Sequence, residues 1–123
     1  MSSSFDTVRE LARALPNVEE GGAPGPPALK VKGKLLAWLR DDPEILAVKV
    51  SPVNREYLLQ VDPAIFFITN HYREYPIVLI RLSRIGRRQL AEVLEEAWRQ
   101  VAPKRMLAAY DAEHIPRTNQ RAT

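Results

Sequence analysis

Cysteine is absent from this chain of 123 residues. Disulfides, thiolate metal sites and cysteine nucleophiles are therefore excluded, and the composition fits a reducing compartment. Histidine occurs only at His71 and His114, and no acidic cluster at helix or hairpin spacing accompanies His71. No metal centre is read from such a set. Long apolar runs are missing too. None approaches the roughly 20 residues that span a bilayer, and the opening MSSSFDTVRE lacks the basic region and apolar stretch of a secretory signal. The expectation is a cytoplasmic protein without a membrane partner. Glycine is scarce, and its 5 positions form no phosphate loop, dinucleotide fingerprint or nucleophile elbow. No cofactor and no enzymatic activity are expected.

What is present is a mild excess of positive charge, +3 overall, distributed unevenly. The first 27 residues carry more acidic than basic side chains, whereas from Arg81 onward basic residues outnumber acidic ones nine to five. Net charge of this size says little by itself about nucleic-acid binding; its placement on the fold says more.

Hydrophobic periodicity divides the chain into elements. Phe5, Val8, Leu11, Ala12 and Leu15 recur at helical spacing, which predicts a helix from Ser4 to Ala14, capped through Ser3 and Asp6 and ended by Pro16. The stretch NVEEGGAPGPP has no periodicity and reads as a loop. ALKVKGKLLAWL reads as two strands joined by a tight turn at Lys32-Gly33. Ile45 to Val50 alternates as a third strand, with Leu46, Val48 and Val50 on one face. Ser51-Pro52 opens a helix to about Gln60, and Asp62-Pro63 opens a further short turn. Phe66 to Thr69 and Ile77 to Leu82 read as the fourth and fifth strands. The widest apolar stripe, Leu90, Val93, Leu94, Ala97, Trp98 and Val101, predicts a helix from Arg87 to Val101. Pro103 starts one more turn through Leu107. The expected architecture is one domain over residues 1–110: a two-layer α+β fold of order α-βββ-α-ββ-α, a five-stranded antiparallel sheet with helices on one face. Residues 111–123 are expected to form a polar, flexible tail.

Several short motifs, in order, resemble the MmcQ/YjbR family. They are Leu15-Pro16 closing the first helix, then Glu19, Glu20 and Gly21, then the hairpin Lys32 to Trp38. Asp62-Pro63 with Phe66-Phe67 follows, then His71-Tyr72, Ala97-Trp98 and Ala102-Pro103-Lys104. The likeness covers roughly residues 5 to 107. It departs at Leu29, where relatives often carry phenylalanine, and in the proline-heavy loop after Gly22. The resemblance implies a fold likened to type III secretion chaperones, and DNA binding through a "double wing" of two hairpins.

Candidate residues follow from charge on the predicted sheet. Every charged residue in the five strands is basic, and alternation places Lys30, Lys32, Lys49 and Arg81 opposite the core, beside Leu36, Trp38 and Leu79. Such a face suits phosphate contacts and base stacking. Lysines on exposed strands equally serve to block edge-to-edge pairing. Lys32, Gly33 and Lys34 form one basic hairpin tip, and Asn70 to Pro76, with His71, Tyr72 and Arg73, forms a second. His71 reads either as a recognition residue or as a ring hydrogen-bonded within its own loop. Arg81, Arg84, Arg87 and Arg88 gather where a helix starts, a place that disfavours cations unless an anion or a carboxylate is near. Glu19-Glu20 and Asp41-Asp42 are adjacent carboxylate pairs that turn formation and solvation explain. The leading expectation is non-catalytic nucleic-acid binding, with DNA as partner, through Lys30, Lys32, Gly33, Lys34, Lys49, His71, Tyr72, Arg73 and Arg81. The alternative is a protein-interaction or chaperone-like module that binds a peptide or a second copy through the apolar part of the sheet face.

Overall fold

The computed structural model describes residues 2–21, 25–40 and 42–114. Helix α1 (Phe5–Ala12) buries Phe5, Val8 and Ala12. Its capping partner differs from the expected one: the Ser4 backbone N–H donates to Thr7 Oγ1 at 3.1 Å. Ser3 Oγ donates instead to the Ile85 carbonyl at 2.8 Å, tying the start of the chain to a distant segment. Asn17 then turns the chain at φ 58°, a conformation that asparagine tolerates better than most residues.

The next segment departs from the sequence reading. Val18–Gly21, expected as loop, is a strand, β1. It makes the sheet six-stranded, not five-stranded. Only one apolar side chain, Val18, turns inward, so no alternation marks it. Its backbone is satisfied by β2 (Ala28–Val31), with Glu19 opposite Lys30 and Glu20 opposite Leu29. Two acidic residues therefore lie in the sheet, contrary to the expectation that all its charged residues are basic.

Strand β2 turns into β3 (Lys34–Leu39) through Lys32 and Gly33, at φ 51° and 81°. Positive φ at both central residues is the signature of the primed hairpin turn, whose twist matches that of the strands. Strand β4 (Ile45–Lys49) leads to α2 (Pro52–Val61), where Ser51 Oγ accepts the Asn54 N–H. Strand β5 (Phe66–Phe67) is only two residues long. A 3-10 turn at Asn70–Tyr72 precedes β6 (Ile77–Arg81). Helix α3 (Arg87–Val101) buries Leu90, Val93, Leu94, Ala97 and Trp98, as its stripe predicts. Helix α4 (Lys104–His114) runs well past Leu107 and into the segment expected as tail; residues 115–123 lie outside the described residues.

The sheet order is β1-β2-β3-β4-β6-β5, antiparallel throughout. All four helices contribute to the core on one face, here called inner, where Trp98, Phe66, Leu46 and Ile80 are almost wholly enclosed. Each such side chain contributes about 1.5–3 kcal/mol by leaving water. Trp98 also donates from Nε1 to the Pro16 carbonyl at 2.9 Å and packs tilted at 4.9 Å against Tyr110 of α4, so one residue joins α3, α4 and the turn that follows α1.

A β-bulge corrects one face assignment. Leu29 opposes Ala37 but Lys30 opposes Leu35, which leaves Leu36 as an extra residue. Leu36 therefore falls into the inner core and is fully buried, rather than sharing the outer face with Trp38.

Candidate nucleic-acid interface

Register fixes which side chains share the outer face. Trp38, Ala47, Leu79 and Phe67 form one continuous row across β3, β4, β6 and β5. Lys49 opposes Ile77 near one end, and Ile45 opposes Arg81 at the other. Both connections of interest leave the sheet at the Lys49–Ile77 end. Lys34, just after the Lys32-Gly33 turn, starts β3 there, and the segment after Phe67 re-enters the sheet at Ile77. Three inter-strand steps separate the midlines of the two hairpins, about 14 Å at ordinary strand spacing.

The two connections differ in character. The Lys32-Gly33 turn is a bare tip: Lys32, Gly33 and Lys34 are all exposed, and a Cβ on Gly33 would meet nothing. The segment 68–76 does not project as a hairpin tip. It folds back over the outer face and buries Tyr72 against Ala47, Ile77 and Leu79, with Trp38 at 6.3 Å. Arg40, just past β3, lies over the Tyr72 ring and donates to its hydroxyl. Arg55 of α2 locks the same segment, donating to the carbonyls of Tyr72 at 3.2 Å, Arg73 at 3.1 Å and Tyr75 at 2.7 Å.

The expected residues therefore separate into groups. Lys30, Lys32 and Lys34 are exposed around the first tip, and Lys49 is half-buried beside it. His71 and Arg73 are exposed on the second segment, with Arg73 donating to Asn70 Oδ1 at 3.0 Å and the His71 ring edge-on to Tyr72 at 4.7 Å. Tyr72 is buried, so its ring supports the segment and offers no free face. Arg81 sits at the far end of β6, held over the Phe67 ring at 4.0 Å and within 3.4 Å of the Pro63 and Ala64 carbonyls. It does not join the cluster. Lys30 has Glu19 as its cross-strand neighbour.

The other charged groups find mostly local partners. Arg9 holds Glu20 in a two-pronged contact at 2.9 Å on each oxygen, and this hydrogen bonding keeps the Glu20 carboxyl below its ordinary pKa. Arg87, at the start of α3, lies 3.4 Å from Glu10. Glu19 and Glu20 point to opposite faces of β1, and Asp42 accepts the Glu44 N–H, while Asp41 lies outside the described residues. Among the described residues no three His, Asp or Glu side chains gather as a metal site, and no helix is long and apolar enough to cross a membrane.

Sequence reasoning missed Arg40, Arg55 and Tyr75. Arg55 carries no sequence signal, because its role depends on where α2 lies beside the loop. Tyr75, an aromatic residue directly before Pro76 in a polar segment, carries a faint one.

Comparison with known proteins agrees with this architecture. The YjbR family model matches residues 13–100. The chain belongs to the YjbR family. Uncharacterised proteins of Mycobacterium bovis and Mycobacterium tuberculosis are 32% identical to it, over 88% of this chain and 95% of theirs. The crystal structure of a Deinococcus radiodurans protein with the DUF419 domain shares the fold, with a TM-score of 0.71 at 24% identity, covering 91% of this chain and 88% of that one. The MmcQ/YjbR resemblance and the α+β class read from the sequence therefore hold, with the strand count corrected to six.

Proposed function

We propose that this YjbR protein binds nucleic acid, without catalysis, at the end of the sheet where the Lys32-Gly33 turn and the segment 68–76 emerge together. The observation that supports the reading is this shared end: Lys30, Lys32, Lys34, Lys49 and Arg73 all lie at it, Lys30 on the outer face beside Glu19, Lys34 on the inner side opposite Val31, and Lys32 bordering a cleft that Arg105 and Glu113 of α4 also line. Ammonium and guanidinium groups so placed displace counterions condensed on a polyanion, and this supplies sequence-independent affinity. Arg81 takes no part, and Tyr72 acts only by supporting the segment that carries His71 and Arg73. Fluorescence polarisation against labelled DNA at two salt concentrations tests the reading. Affinity should fall steeply with salt, and Lys32→Glu with Lys34→Glu should abolish binding without disturbing the fold. Undiminished binding by that variant removes the proposal.

A second reading, a protein-interaction module, draws on a different surface from the one expected. The outer sheet face is partly occupied by Tyr72, and Leu36 is buried. Helix α2, however, exposes Val53, Tyr57 and Val61 at 82%, 61% and 52%, a stripe at four-residue spacing. The stripe is symmetric about Tyr57, so a second copy packed antiparallel would set each Val53 against the partner copy's Val61 in an isologous contact. Light scattering across a concentration series tests it: a dimer dispersed by Tyr57→Ser supports this reading, and a monomer throughout excludes it.

A further inference from the structure

We infer that the segment between β5 and β6 is a stacking platform for an unpaired base, so that the nucleic acid taken by this protein is single-stranded. The inference rests on the nucleic-acid reading above and narrows its ligand. Tyr75 carries it. The residue is 55% exposed, yet its backbone is fixed at three points. The Tyr75 N–H donates to the Tyr72 carbonyl at 3.1 Å. Its own carbonyl accepts from the Ile77 N–H at 2.8 Å and from Arg55 Nη1 at 2.7 Å. An exposed aromatic residue whose backbone is already fixed binds a flat partner at a lower ordering cost than one on a mobile loop.

The surroundings suit a nucleobase. A cleft of about 410 Å³ lies beside Tyr75, walled by Pro52 and Pro76, with Arg73 as a donor and Glu74 as an acceptor for a base edge. The exposed His71 ring stands 6.3 Å from Tyr75 at 40°, offering a second flat surface next to the first. Lys32 and Lys34, on the β2–β3 hairpin at the same end of the sheet, would hold the flanking backbone. Bases inside a duplex have both faces covered by their neighbours, so Tyr75 gains nothing from them. An unpaired base has a free face, and aromatic stacking on it is largely sequence-tolerant.

The test compares labelled oligothymidine with a blunt-ended, loop-free duplex of equal length. The protein should bind the single strand more tightly. Tyr75→Ala should weaken that binding about tenfold and leave duplex affinity unchanged, while Tyr75→Phe retains it. Because Tyr75 is exposed, a melting curve suffices to show that each variant is folded. Duplex binding as tight as single-strand binding, or a Tyr75→Ala variant with unaltered single-strand affinity, overturns the inference while leaving nucleic-acid binding intact. Failure of both probes at low salt removes the underlying reading as well.

Discussion

The Arg55 guanidinium reaches 2.7 Å from the Tyr75 carbonyl, joining the side of α2 to the segment that enters β6. The same side chain also serves the carbonyls of Tyr72 and Arg73. One planar fork thus fixes the path of the loop that covers the outer face, and the position of Tyr72 over Trp38 depends on it.

Replacement of Arg55 by alanine removes three charge-assisted hydrogen bonds from a partly buried place. The expected loss of stability is about 1–3 kcal/mol, and the local effect should exceed the global one. Hydrogen exchange should accelerate at the amides of Tyr72, Arg73 and Tyr75 well before those of β4 or α3. Arg55→Lys should not restore protection, because an ammonium group cannot reproduce the fork. Equal protection in the Ala variant and the parent would contradict this account.

The Lys32-Gly33 turn sets charge against conformation. Lys32 holds φ at 51°, a region that costs most residues about 1–2 kcal/mol and costs asparagine less. Lys32→Asn should therefore raise the urea midpoint, by up to about 1 kcal/mol in stability, while weakening nucleic-acid binding and lowering its salt slope by about 1. A variant that gains neither stability nor a shallower slope would separate this turn from both roles. Gly33, at φ 81° with open space around its missing Cβ, should lose stability on substitution by alanine through backbone strain alone.

Trp98 tests the junction of α3, α4 and the turn that follows α1. Trp98→Phe keeps an aromatic ring in the inner core but removes the donor to the Pro16 carbonyl and part of the volume. A loss of about 2–4 kcal/mol is expected in chemical denaturation. Val18 and β1 should be the first elements to loosen, since Pro16 begins the turn that leads into them.

Glu20 gives a dependence on pH. Hydrogen bonding from Arg9 lowers its folded pKa below 4.5. A depressed carboxyl contributes stability above its unfolded pKa and loses it as pH falls through the folded value. Both side chains are more than one-third exposed, at 37% and 39%, so solvent screening keeps the contribution small. Glu20→Gln should thus be slightly less stable than the parent at neutral pH, with the difference closing below pH 4.5. A gap that widens in acid would reverse the assignment.

The sequence on its own shows whatever periodicity or turn chemistry encodes locally. The stripe of α3, the caps at Ser51-Pro52 and the Lys32-Gly33 turn are of that kind. Strand β1 escaped because Val18 alone faces inward, and its pairing lies in backbone bonds to Ala28–Val31. Leu36 was misplaced because a bulge reverses alternation, and nothing in KLLAWL marks which residue is the extra one. Within the candidate site, the lysines of the first tip were legible because a two-residue turn has little choice of conformation. The second tip was not. Its direction is decided by Arg55 and Arg40, 15 or more positions away in sequence, and by the apolar row that Tyr72 covers.

The two tryptophans sit on opposite sides of the sheet. Trp98 is enclosed by the helices, and Trp38 is half-covered beneath Tyr72. Their emission therefore gives two separate optical reporters in one small chain, without any added dye. With Trp38→Phe the remaining signal follows the helical layer; with Trp98→Phe it follows the strap across the other side. Set against far-UV circular dichroism of the same variant, so that the lower stability of Trp98→Phe cancels, a fluorescence melting curve that coincides would show one cooperative unit. An earlier transition at Trp38 would show the strap lifting while the rest stays folded, and a ligand seated at Tyr75 would push that earlier transition upward.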